Sequence, residues 1–111
     1  MQETIDAEGF VDRIRNCLPP HSVTEKKMFG GTCFLLNGNM LCMAGKSGLT
    51  VRVGKEGEQD ALAQPHAQRS RPGGRHMTGF VSVDHAGTDD DAQLKAWLDR
   101  AWQFVNALPA K

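Results

Sequence analysis

Three cysteines, four histidines and a run of cations near the middle are the side chains of this chain with the most capacity for chemistry. Cys17, Cys33 and Cys42 are odd in number and lack a CxxC spacing. That argues against both a secreted disulfide framework and a zinc site, and it fits a reducing, cytoplasmic compartment. His21, His66, His76 and His85 match no standard zinc motif and read as solvated loop histidines. No metal and no cofactor are expected. A nucleophilic enzyme needs Ser, Cys or Thr beside an oriented base. There is no GxSxG elbow, no GxGxxG after a strand and no Gly-rich GK[ST] phosphate loop, so no catalytic residue is assigned and the reading leans away from an enzyme.

Cys33 and Cys42 allow a sharper reading. If Asn37 and Gly38 are the central residues of a type I′ turn, Leu36 pairs with Asn39, and an unbroken register then brings Cys33 opposite Cys42 in a non-hydrogen-bonded pair. A cross-strand redox pair follows as a hypothesis. If Gly38 and Asn39 are central instead, the two cysteines miss each other. The alternative role is two small buried residues packed beneath a helix.

The cations are unevenly spread. Thirteen basic and thirteen acidic groups cancel over the chain. Residues 26 to 80 nevertheless carry an excess of positive charge, chiefly Lys26, Lys27, Arg52, Arg69, Arg71 and Arg75, between acidic ends. Nucleic-acid binding usually couples such charge to exposed aromatics or to a groove-entering helix. Tyrosine is absent, the other aromatics mostly fall at core positions, and adjacent Lys26 and Lys27 on a strand point to opposite faces. Direct nucleic-acid contact is not expected.

Met28-Phe29-Gly30-Gly31 is the most unusual local feature. Two glycines in an apolar strand imply a bulge, a bend, or close approach by another backbone or a ligand. The candidate binding set is therefore Lys27, Gly30 and Gly31 with Arg52, Arg69, Arg71, Arg75 and His76, as if a pocket lay between the glycine bend and the Arg69 to His76 loop.

Helices and strands must position these groups. Ile5, Phe10, Val11, Ile14, Cys17 and Leu18 recur at steps of three and four, giving an amphipathic helix stopped by Pro19-Pro20. Strands are expected at about Lys26 to Leu36, Met40 to Gly45 and Leu49 to Val53, forming a three-stranded antiparallel meander. A weak helix at Glu58 to Ala63 precedes a loop or ragged edge strand at His66 to Arg75, and a further strand at Met77 to Val83. Asp89-Asp90-Asp91 caps a last helix with a wide apolar stripe from Leu94 to Leu108. At 111 residues one domain, 1–111, is the expectation. The fold class is a two-layer α+β domain, its antiparallel sheet covered by helices on one face. No apolar stretch approaches the ~20 residues that cross a bilayer, and the N-terminus lacks the features of a signal peptide, so no membrane association is expected.

Lys27-Met28-Phe29-Gly30-Gly31, Phe34, Asn37-Gly38-Asn39-Met40, Leu49-Thr50-Val51-Arg52-Val53 and Gly74-Arg75-His76-Met77-Thr78-Gly79-Phe80-Val81 occur in an order and spacing that resembles the TfoX N-terminal domain family. Ala96-Trp97-Leu98 and Ala107-Leu108-Pro109 fit its usual ending. The resemblance implies a two-layer α+β domain with an antiparallel sheet. The named TfoX or Sxy proteins are positive regulators of competence genes, thought to act with the cyclic-AMP receptor protein, and they carry a second, helical domain. The chain here stops at Lys111, after the last helix of the first domain. The resemblance supplies no catalytic residues.

The expected function is a non-enzymatic interaction module, regulatory by resemblance. It would bind a protein partner, or a second copy of itself, through a sheet face or edge. Transcription machinery is the partner class that the resemblance implies. A small-ligand or anion-binding domain built on the candidate set is the alternative, and weak nucleic-acid binding comes third.

Overall fold

A computed structural model describes residues 2–18, 23–28, 31–45, 48–69 and 78–109, with side chains from Gly9 onward except that of Met28. Helix α1 (Gln2–Cys17) opens the chain. Strands β1 (Val23–Met28), β2 (Gly31–Leu36), β3 (Asn39–Gly45) and β4 (Gly48–Arg52) follow. A short helix α2 (Glu58–Leu62) leads to β5 (Ala67–Arg69), β6 (Phe80–Asp84), a 3₁₀ turn over His85–Gly87, and α3 (Asp91–Val105). The sheet is antiparallel with the order β1-β2-β3-β4-β6-β5, the α+β class expected.

The strand expected over Lys26 to Leu36 is two strands. Met28 stands opposite Gly31, so the chain reverses between them and β1 folds back on β2. β1 and β2 therefore form a hairpin in which Gly31 is the first residue of β2, and the meander has four strands. Gly31 also permits a close main-chain approach: a Cβ there would sit 2.3 Å from the Ala44 carbonyl oxygen. The next turn is as expected, with Asn37 and Gly38 at φ 54° and 85° and Leu36 opposite Asn39.

Alternation in the strands sends one set of side chains toward the helices. Phe34, Leu36, Leu41, Cys42, Ala44, Leu49, Val51, Val81 and Val83 form one buried cluster with Phe10 and Ile14 of α1 and Leu94, Trp97, Leu98, Ala101 and Val105 of α3. The start of α3 is fixed by Asp90, whose carboxylate accepts from Ala92 N–H while Gln93 Oε1 accepts from Asp90 N–H, a reciprocal cap. Asn39 is polar yet buried, its Nδ2 donating to the Pro109 carbonyl at 2.9 Å. That bond ties the first residue of β3 to the chain beyond α3. Among the described residues no helix is long and apolar enough to cross a membrane.

Candidate functional site

Three rungs cross all six strands: one, Lys27, Thr32, Ala44, Leu49, Val83, Ala67, lies on the inner face, and the other two divide the sheet's two faces. The inner one of these two runs Glu25, Phe34, Cys42, Val51, Val81, Arg69. Its four central residues are in the core, and each charged end is held by a helix. Glu25 accepts from Arg15 of α1, with Nη2 to Oε1 at 2.8 Å, and Arg69 donates to Glu58 of α2 at 3.2 Å. The outer rung runs Lys26, Cys33, Met43, Thr50, Ser82, Gln68. Leu35 and Met40 form a second outer pair, and Arg52 faces Phe80 in a third.

Leu35, Met40, Met43 and Phe80 are half-buried, and none belongs to the core cluster or packs against it. Among the described residues no helix covers this face. Its apolar residues lie on β2 and β3, with Phe80 apart on β6, and the face grades into Thr50, Ser82 and Gln68 toward β5. Arg52 closes the far end of the face, its guanidinium 5.7 Å from the Phe80 ring centre and 5.6 Å from that of Phe104 in α3. Gly54 leaves the space that Phe104 fills, since a Cβ there would approach its ring to 2.4 Å.

The described members of the candidate set are not brought together. Lys27 is on edge strand β1 and Gly31 on β2. Arg52 ends β4, and Arg69 ends β5 at the opposite edge. Four strand intervals, about 19 Å at the usual spacing, separate β2 from β5. Gly30, Arg71, Arg75 and His76 lie outside the described residues, as does His21. The expected pocket between the glycine bend and the Arg69 loop is thus not formed by its described members. Near Arg69 there is instead an open depression of about 550 Å³ that includes Lys55, Glu58, Gln59, Leu62 and Thr78. Its carboxylate and guanidinium already pair with each other.

The expected pairing of Cys33 with Cys42 does not occur. A bulge after Leu35↔Met40 inserts Leu41, so Cys42 comes opposite Phe34 and Cys33 opposite Met43. The two thiols then belong to opposite faces, Cys42 within the core cluster and Cys33 buried on the other side of the sheet. Burial pushes both thiols up from their ordinary value, and the Cys33 charge raises Cys42 further. Protonated, buried thiols are poor nucleophiles.

Most described arginines are committed within the fold. Arg13 reaches Asp91 at 3.0 Å, Arg100 reaches Asp60 at 2.9 Å, and Arg15 and Arg69 hold the inner rung. Lys26 and Lys27 have no carboxylate partner among the described residues and stand exposed on β1. His66 Nδ1 lies 3.3 Å from Asp84 Oδ1, which also accepts from Gly87 N–H. Among the described residues no group of three or more His, Cys, Asp or Glu is placed to hold a metal.

The outer residues Leu35, Met40, Met43 and Phe80 escaped the sequence reading. Their signal was present in the alternation, but an apolar residue on either face of a strand looks the same until the partner layer is known.

The family model described as TfoX N-terminal domain matches residues 17–105, from the last residue of α1 to the last of α3. No curated protein matches the chain.

Proposed function

The chain belongs to the TfoX N-terminal domain family, and on that premise we propose that it is a non-enzymatic, regulatory interaction module that binds a protein partner through the outer face of its sheet. The observation that carries this reading is the half-buried apolar group of Leu35, Met40, Met43 and Phe80, which no helix among the described residues covers. Such a face is a docking surface of ordinary chemistry: apolar centre, polar margin, and a stacked arginine at its rim. Methionine side chains suit it, because their flexibility lets one surface fit several contours. The regulatory role and a partner in the transcription machinery come from the family resemblance, and the cytoplasmic setting from the cysteines. The dispersal of the described candidate cations, with Lys27 and Arg69 on opposite edges of the sheet and Arg69 paired with Glu58, favours this reading over direct nucleic-acid binding.

The test is a pair of surface variants carried into cells with the protein tagged. Met43→Asp places charge in the centre of the face, and Gln59→Asp places it on α2. Both are expected to leave thermal stability within about 1 kcal/mol of the parent. Loss of the co-purifying partner with Met43→Asp alone supports the reading; equal retention in both contradicts it.

A further inference from the structure

We propose that the β1 edge pairs with the β1 edge of a second copy, joining two sheets across a twofold axis into one antiparallel sheet of twelve strands. β1 is the terminal strand of the sheet, six residues long, and among the described residues nothing pairs with its outer edge. Glu25, Lys26 and Lys27 are all exposed there. Lys27 has no partner within the described chain. An unpaired strand edge is a template for another strand, and lysines on it normally guard against promiscuous pairing. Here the charges also select one arrangement.

A twofold axis perpendicular to the sheet keeps both helix layers on one side, and it requires partners to come from the same face. Only registers in which one residue faces its own copy meet that condition. Two of these use five of the six residues of β1. Centring on Glu25 sets two carboxylates against each other and makes no attractive pair. Centring on Lys26 sets Glu25 opposite Lys27 of the second copy twice, on the inner face beside Arg15, at the cost of one Lys26 to Lys26 contact on the outer face. Directly opposed side chains in an antiparallel pair have Cβ atoms about 5 Å apart, within reach of a Glu–Lys ion pair. The second register has two attractions and one repulsion, so it is the one that forms. It would also set the outer Cys33, Leu35, Met40 and Met43 of both copies on one continuous face. The edge and the face are separate surfaces, so loss of self-pairing would leave the partner reading standing, and the reverse.

The experiment is analytical ultracentrifugation of the whole chain from micromolar to about millimolar concentration. The parent is expected to pass from the mass of one chain, 12.1 kDa, to that of two. Lys27→Glu and Glu25→Lys each turn both attractions into repulsions and are expected to weaken association at least tenfold. Mixed in equal amounts, the two variants regain two Glu–Lys pairs and recover the dimer. Lys26→Thr removes the repulsion on the axis and raises the dimer fraction above the parent's; this arm decides the matter if Glu25→Lys, deprived of its Arg15 contact, fails to fold. A parent that stays monomeric throughout overturns the proposal. So does a dimer indifferent to Lys27→Glu, or a Lys26→Thr variant with no gain.

Discussion

The Glu58 carboxylate accepts a hydrogen bond from the main-chain N–H of Gly79 at 2.7 Å, although the two residues are 21 positions apart. The same residue is held from its other side, where the Gly79 carbonyl accepts from Val53 N–H at 2.8 Å and Gly54 N–H at 3.1 Å. α2 therefore fixes where β6 begins, and β6 is the strand that carries Phe80 to the rim of the outer face. The side chain of Glu58 is only 9% exposed, so its bond is made away from water.

Removing that acceptor strands a buried N–H. Glu58→Ala is expected to cost about 1 to 3 kcal/mol in urea unfolding, and Glu58→Gln less, since an amide oxygen can still accept from Gly79 while the charge attraction to Arg69 is lost. Equal costs for the two variants would show that the hydrogen bond is not what matters there.

Gly31 and Gly9 make an opposed pair. Alanine at Gly31 would press its Cβ against the Ala44 carbonyl oxygen, and the strands must part to admit it. Destabilisation of about 1 to 3 kcal/mol is expected, read from the denaturation midpoint. Gly9 lies inside α1 with nothing within 4 Å of an added Cβ, so Gly9→Ala is expected to stabilise by about 0.5 to 1 kcal/mol.

The thiols give a third expectation. In the native protein a thiol reagent should modify Cys17, which is partly exposed, well before Cys33 and Cys42, which need unfolding. Mild oxidation should leave the Cys33 and Cys42 thiols free, because the bulge puts them on opposite faces. Mass spectrometry after alkylation reads both outcomes, and a 33–42 disulfide would contradict the register.

The Arg15–Glu25 pair gives a pH dependence. The Arg15 guanidinium holds the Glu25 carboxyl below its ordinary value of 4.5. A carboxyl lowered on folding contributes stability above that ordinary value and loses it as pH falls through the folded value. The stability difference between the parent and Arg15→Gln should accordingly be present at neutral pH and shrink as pH drops below 4.5. A difference that grew on acidification would have the wrong sign.

Much of the fold was legible because its elements carry local signals. The stripe from Leu94 to Leu108 behind an aspartate cap could only be a helix with one buried side, and Asn37-Gly38 could only turn the chain tightly. The glycine pair was ambiguous for a physical reason: glycine serves a bend, a close approach and a turn equally well, and at Gly31 the choice was made by the pairing of β1 with β2, which no single residue type announces. The bulge at Leu41 had no signal at all. Leucine and cysteine are both acceptable on a buried face, so the register could slip by one residue without leaving a trace in the pattern. For the same reason the candidate cations could be named but not grouped. Strand order sent Lys27 and Arg69 to opposite edges of the sheet, and strand order is decided by packing across the whole domain.

The most direct test of the central claim is site-specific photo-cross-linking in cells, with the reactive side chain placed at Met40 on the outer face or at Gln59 on α2. A discrete protein adduct is expected from position 40, abolished by Met43→Asp, and none from position 59. Adducts from position 59 alone, or from position 40 unchanged by Met43→Asp, would contradict the claim and move the partner surface away from the sheet.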